Sequence, residues 1–176
     1  MSVAGVAFMT DAERETALIR MMEQYRTQLV RMAYLYLGDL ALAEDAVQET
    51  FLKAYAHMNS FRGECSEKTW LMRISINTCK DMRRGAWLRW MKRTVSLDAV
   101  PERGREDFYR DDTVLNAVMR LPERDRQVIL LRYYQEMKVP EIAYVLKIPK
   151  SNATSRLRRA RDRLQKSLEG WYFDEA

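Results

Sequence analysis

Residues 141–166 read EIAYVLKIPKSNATSRLRRARDRLQK, and this stretch decides the fold. It opens with a short helix from Glu141 to Leu146 that carries Ile142, Ala143 and Leu146. Lys147, Ile148, Pro149 and Lys150 form a tight connection. A long helix follows, capped by Ser151 and ending near Leu168. Its apolar residues Ala153, Leu157, Ala160, Leu164 and Leu168 are spaced four, three, four and four, which makes one buried stripe. Short helix, tight turn and long helix together make a helix-turn-helix.

The opposite face of the long helix follows from about 100° per residue. It carries Asn152, Ser155, Arg159 and Lys166, flanked by Arg156, Arg158 and Arg163. Asn and Arg are the side chains that pair bidentately with adenine and guanine edges. Ser, Lys and the flanking arginines suit phosphate contacts, which supply affinity without sequence choice. A solvated basic helix in an ordinary bundle would show the same charge, but not the same short-turn-long arrangement. Asp162 is discordant on a phosphate-facing surface, and Arg158 or Lys166 at i±4 can neutralise it.

Working outward, Pro140 opens the short helix. Upstream, a helix from Thr113 leads to Leu121-Pro122, and Pro122 suits the first turn of another helix ending near Tyr134. Residues 94–112 lack a helical period and hold Pro101, Gly104, six acids and three arginines, so they read as a linker. Before the linker lies a second helical block. Thr10-Asp11-Ala12-Glu13 has the form of a capping box for a helix running to about Leu37, with Gly38 as its stop. Asp39 caps the next helix, which ends near Met58. After a loop through Phe61, Arg62 and Gly63, Ser66 caps a third helix reaching about Arg84 before Gly85. The expected fold is all-α, with helical domains at residues 10–93 and 113–170 joined by a flexible linker, and the sequence leaves their relative placement open.

Composition agrees. The 176 residues are 47% hydrophobic with only 6 Gly and 4 Pro, which disfavours a turn-rich β protein. The net charge of +5 is unevenly spread. Residues 80–93 hold six basic residues and one acid, and 150–166 hold seven and one. Residues 39–50 hold four acids and no base, so at least two kinds of partner are implied. Cys65 and Cys79 lie 14 residues apart without zinc-ligand spacing, which reads as free thiols in a reducing cytoplasm, with no metal and no cofactor. The first ten residues do not read as a signal peptide, and no apolar run is long enough to insert into a membrane.

The N-terminal block presents two surfaces. The helix from Asp39 buries Leu40, Ala43, Val47, Phe51, Ala54 and Met58, and its opposite stripe shows Asp45, Glu49 and Leu52 with Gln48 beside them. An acidic stripe with an exposed leucine repels DNA and suits a basic or mixed protein surface. The next helix buries Trp70, Leu71, Ile74 and Thr78, and a second stripe holds Arg73, Asn77, Lys80 and Arg84. Phe61, Trp70, Trp87 and Trp90 are interleaved with these cations. Basic grooves with aromatic platforms suit single-stranded or opened DNA, although core packing is the simpler role for Phe61 and Trp70.

These residues carry a family resemblance. Asp45-Ala46-Val47-Gln48-Glu49-Thr50-Phe51, then Tyr55, Phe61, Trp70-Leu71, Ile74, Asn77 and Asp81, resembles region 2 of bacterial extracytoplasmic-function sigma factors. Leu121-Pro122, Arg126, Val128, Leu130-Leu131-Arg132-Tyr133, Glu141-Ile142-Ala143, Leu146 and residues 155–161 (SRLRRAR) resemble region 4. The resemblance implies a promoter-specificity factor for RNA polymerase, not an enzyme, acting in the cytoplasm in a stress response. It implies that Asp45, Gln48, Glu49 and Leu52 bind core polymerase through the β′ clamp helices, with the β subunit as a further contact. Phe61, Arg62, Lys68, Arg73, Asn77, Lys80, Arg83 and Arg84 would recognise and open the minus-ten element, with a flipped-out base held by the loop at residues 62–68. Ser151, Asn152, Ser155, Arg156, Arg158 and Arg159 would read the minus-thirty-five duplex. The linker would thread towards the active-site and RNA-exit channels. Ser151-Asn152-Ala153-Thr154 stands where the family usually has Gly-Thr-Val-Lys, so a basic residue common at position 154 is missing. With neither a large inserted middle domain nor a long acidic N-terminal domain, control is expected from an anti-sigma factor.

Two other classes compete. A stand-alone helix-turn-helix regulator explains residues 141–166 but leaves the acidic helix and the aromatic-basic block unused. A nucleic-acid enzyme would need a metal cluster, a Gly-rich phosphate loop or a nucleophile–base pair, and the sequence offers none of these.

Overall fold

A computed structural model describes residues 9–93 and 113–174, in which every regular element is helical. The linker at 94–112 and the side chains of Trp87 and Trp90 lie outside the described residues.

Local chemistry sets the first helices. In α1 (Asp11–Leu37) the Thr10 hydroxyl accepts the Glu13 N–H at 3.3 Å, and the Glu13 carboxylate takes the Thr10 N–H at 2.7 Å. This reciprocal pair satisfies two donors that a helix start leaves open. Gly38 ends the helix in the left-handed region at φ 74°, where a side chain would be strained. One residue later the Asp39 carboxylate accepts the Leu42 N–H at 2.9 Å and starts α2 (Leu40–His57). Replacing Asp39 by alanine is expected to lower stability by about 1 kcal/mol in urea denaturation. A change within about 0.3 kcal/mol would show the cap to be idle.

A single tight turn (Met58–Ser60) leads to a loop and then to α3 (Glu67–Arg93), where the Ser66 hydroxyl accepts the Thr69 N–H at 3.1 Å. Gly85 does not stop α3, contrary to the sequence reading. Ala, Leu, Met, Lys and Arg follow it, and the helix-forming tendency of that run outweighs roughly 1 kcal/mol lost at one glycine. Arg20 ties α1 to α3 through a bidentate pair with Glu67 at 2.8 and 2.6 Å. Leu29, Met32, Ala43, Ala46, Val47, Phe51, Leu71, Met72 and Ile76 form the centre of this three-helix unit. Leu40 is not among them, being 53% exposed: it sits in the first turn of α2, beyond the last turn of α1. Ile74 is half-buried.

The second unit holds α4 (Thr113–Arg120), α5 (Glu123–Ile129), α6 (Val139–Leu146) and α7 (Lys150–Asp174). Pro122 is the residue before α5, not its first helical one. After Ile129 the chain widens into a π-type turn (Leu130–Tyr134), with the Gln135 N–H reaching back to the Leu130 carbonyl. Lys147 ends α6 in the left-handed region at φ 53° and forms the turn of the helix-turn-helix. Ser151 does not cap α7. The helix begins at Lys150, and the Pro149 carbonyl already accepts the Ala153 N–H at 3.0 Å, so Ser151 lies exposed inside the first turn. Ala153, Leu157 and Ala160 are buried as their spacing requires. Leu164 and Leu168 are half-buried, since with Val114, Tyr133 and Tyr134 they line an open apolar groove of about 660 Å³.

The two units meet. α3 packs against α6, and the buried apolar residues of both units join in one cluster. No helix among the described residues is long and apolar enough to cross a membrane.

Candidate nucleic-acid interface

Three surfaces stand out. The first is a depression of about 570 Å³ between α2 and α3. It is lined by Asp45, Gln48, Glu49 and Leu52, so the structure brings together all four residues of the acidic stripe. Leu42, Lys53, Asp81 and Met82 complete the lining. Leu52 is 65% exposed, an apolar side chain held in water between carboxylates. Lys53 softens one edge, 3.6 Å from Glu49 and donating to the Thr78 hydroxyl at 3.3 Å. Sequence reading missed Leu42 and the pairing of Asp81 with this face, because Asp81 belongs to the otherwise basic α3.

The second surface is the cleft over the start of α7, about 490 Å³ in volume. Asn152, Ser155, Arg156 and Arg159 line it together with Arg163, and Arg124 adds a further cation from α5. Ser151 and Arg158 are exposed outside this cleft. Arg163 pairs with the buried Asp125 of α5, which fixes the long helix against its support. Neither Arg158 nor Lys166 pairs with Asp162 among the described residues, since long side chains on an open helix face keep their hydration. Nothing in the local sequence around Arg124 indicates this site. Its place follows from how α5 packs on α7.

The third surface is the aromatic-basic stripe of α3, and here the structure departs from an open groove. Phe61 stacks on Trp70 with centroids 4.8 Å apart, and Trp70 is buried, so this ring pair closes the end of the core. Arg62 is exposed in the loop, Asn77 is half-buried, and Arg84 pairs with Asp81 at 3.6 Å. The remaining four cations face the second unit. Lys68 donates to the Gln135 carbonyl at 2.7 Å, the Arg73 guanidinium lies 4.4 Å from the centre of the Tyr144 ring, and Arg83 pairs with Glu123 at 3.1 Å. Lys80 is half-buried, and burial pulls its ammonium below the usual lysine range. Arg156 and Lys147 add to that shift while Glu123 opposes it. Behind Arg83, the Tyr36 hydroxyl donates to Glu123, and Gln127 donates to both at 3.0 and 3.1 Å. Burial and the Glu123 carboxylate push the Tyr36 phenol well above its usual range. Burial works to raise the Glu123 carboxyl, but Tyr36, Arg83, Arg126 and Lys80 hold it below the usual carboxylate range.

No group of three His, Cys, Asp or Glu among the described residues is placed to hold a metal ion. Cys79 is buried, and burial pushes its thiol up to about 11, so it is not a nucleophile at neutral pH.

Comparison with known proteins places these surfaces in a family. Residues 21–89 match Sigma-70 region 2, and residues 111–164 match Sigma-70, region 4. The chain is 28% identical over 168 residues to the ECF RNA polymerase sigma factor SigW of Bacillus subtilis, covering 88% of this chain and 90% of that one. It is 30% identical over 139 residues to the ECF RNA polymerase sigma-E factor of Haemophilus influenzae, covering 71% and 74%. Among solved structures, the fold is shared with the sigma factor RpoE of Bartonella quintana in complex with the anti-sigma factor NepR, at a TM-score of 0.70, 24% identity, and 87% and 97% coverage. It is shared also with CnrH in complex with the cytosolic domain of CnrY, at a TM-score of 0.67, 22% identity, and 91% and 92% coverage. With both regions present in order and a relative of this identity over most of both chains, the protein belongs to the extracytoplasmic-function sigma factors, which bind core RNA polymerase and promoter DNA to start transcription and catalyse nothing themselves.

Proposed function

We propose that this sigma factor divides promoter-directed initiation among its three surfaces. The observation that carries the assignment is the sorting of charge. The depression holding Asp45, Gln48, Glu49 and Leu52 is acidic and apolar, while the cleft on α7 and the stripe on α3 gather the arginines and lysines. The acidic depression receives the clamp helices of core polymerase. Arg62, Lys68, Arg73, Asn77, Lys80, Arg83 and Arg84, with Phe61 as the aromatic platform, take the opened minus-ten strand. Asn152, Ser155, Arg156 and Arg159 read the minus-thirty-five duplex, with Ser151 and Arg158 on flanking phosphates. Residues 10–93 and 113–170 then act as separate domains on one promoter. The protein works in the cytoplasm, where an anti-sigma factor holds it until a stress signal arrives. Support for that last step comes from the sigma factor RpoE of Bartonella quintana, a solved structure of similar fold that is seen in complex with the anti-sigma factor NepR.

Reconstitution with core RNA polymerase on promoter DNA selected from a random pool tests the whole reading. Failure to support promoter-specific initiation would sink it. Within it, Arg159→Ala is expected to reduce initiation from promoters that carry the upstream element about 10- to 100-fold, the worth of one bidentate base contact. Binding to core polymerase should stay unchanged. An equal loss on promoters with the upstream element scrambled would show that Arg159 does not read it.

A further inference from the structure

The cleft over the start of α7 has two walls. One is α7 itself, with Asn152, Ser155, Arg156 and Arg159, and the other is the first turn of α5, with Glu123, Arg124 and Asp125 behind Pro122. Base reading by α7 accounts for the first wall only. On the second wall three neighbouring residues have different fates. Asp125 is buried and pairs with Arg163, so that arginine of the cleft is already committed. Glu123 is committed too: Gln127, four residues on in the same helix, donates to it at 3.1 Å, and Arg83 pairs with it at 3.1 Å. Arg124 stands between these acids, exposed, and makes no ion pair or hydrogen bond among the described residues.

Arg124 does not serve the fold. The first turn of a helix is the positive end of its peptide dipoles, which suits Glu123 and Asp125 and works against an arginine. Being exposed, it is no part of the core. Across the cleft, Arg156 and Arg159 likewise have no acid partner among the described residues. Cations on both walls of one open cleft repel each other, and a polyanion lying between them relieves the repulsion. In a DNA duplex the base edges lie inside the groove that takes a helix, and the phosphates lie along its rims. The helix that supports a reading helix crosses the backbone. A cation on α5 therefore meets a rim, not a base.

We propose that Arg124 binds a backbone phosphate beside the minus-thirty-five element, and so sets the register at which α7 meets the bases. It is a positioning residue, which adds affinity without sequence choice. The proposal rests on the reading of the upstream duplex by α7, and it adds a second point of attachment from a different helix.

The test uses holoenzyme, core RNA polymerase with the full chain, on three promoter duplexes. One carries the upstream element, one has it scrambled, and one is cut short of it. Equilibrium binding is measured from about 50 to 200 mM salt. Arg124→Ala is expected to weaken binding to the first two duplexes by the same factor and to leave the third unchanged. With one phosphate contact gone, the fall in affinity across that salt range should be about 3.5-fold smaller than in wild type. A merely structural role would not move this salt dependence. Arg124→Lys keeps a point charge and should keep the wild-type salt dependence, because a phosphate accepts lysine where a bidentate base contact does not.

An unchanged salt dependence in Arg124→Ala overturns the proposal. A loss confined to the intact element overturns it as well, since Arg124 would then read a base. A lysine variant that behaves like the alanine one has the same force. The reading by α7 is judged separately on Arg159→Ala, which should lose affinity for the first duplex and not for the second. If it does so while Arg124→Ala matches wild type, the phosphate contact falls and the reading stands. If wild type binds all three duplexes equally, the reading itself has failed and the proposal falls with it.

Discussion

Reversing both acids of the α2 depression, with Asp45→Arg and Glu49→Lys in one chain, is expected to weaken binding to core RNA polymerase about 100-fold, or roughly 3 kcal/mol. Each reversal removes an attraction and adds a repulsion of similar size against a basic partner. Placing like charges across an interface costs several kcal/mol. The effect should shrink as salt rises, because the depression is open and ions screen it within about 8–10 Å. Glu49→Lys also sets a lysine 3.6 Å or so from Lys53, a local cost of a few tenths of a kcal/mol that does not threaten the fold. Thermal melting should therefore stay within 1–2 °C of wild type, by roughly the usual scaling of melting point with stability. Titration of labelled core polymerase at low and moderate salt checks both points. Affinity within threefold of wild type at low salt would move the polymerase contact elsewhere.

The largest loss of stability is expected from Leu71→Ala. Leu71 is 0% exposed and lies in α3 between the buried Trp70 and Met72, so truncation removes three methylene-sized groups and leaves a cavity. In a packed core that change costs about 3–4 kcal/mol, and for a unit of this size it lowers the melting point by roughly 10 °C or more. Leu52→Ala is the matching control. It removes the same atoms from a 65% exposed position, should leave the melting point alone, and should weaken core binding instead. Equal thermal losses in the two variants would contradict the division of α2 and α3 into a packed side and a binding side.

What the sequence made legible was local. The Thr10–Glu13 box, the Gly38 stop and the Asp39 cap need only residues three or four apart, and all three are present. The four-three-four spacing of Ala153, Leu157, Ala160 and Leu164 names the packed side of α7, and hence its exposed side. The acidic stripe was legible for the same reason. The misses have a different origin. Gly85 reads as a stop by propensity, but α3 continues because nothing else ends it. Ser151 reads as a cap by residue type, but Pro149 takes the capping place two residues earlier. Arg124 joins the cleft over the start of α7, and Glu123 meets Arg83, only through contacts between distant segments. No periodicity within one helix carries that information.

The partners that the second domain offers to α3 have a chemical character of their own. Glu123 presents to Arg83 a planar anion, and Tyr144 presents to Arg73 a flat ring at 4.4 Å. An opened DNA strand offers the same two things, a phosphate oxygen and a base, at comparable reach. The docked domain is in this sense a protein imitation of a nucleotide.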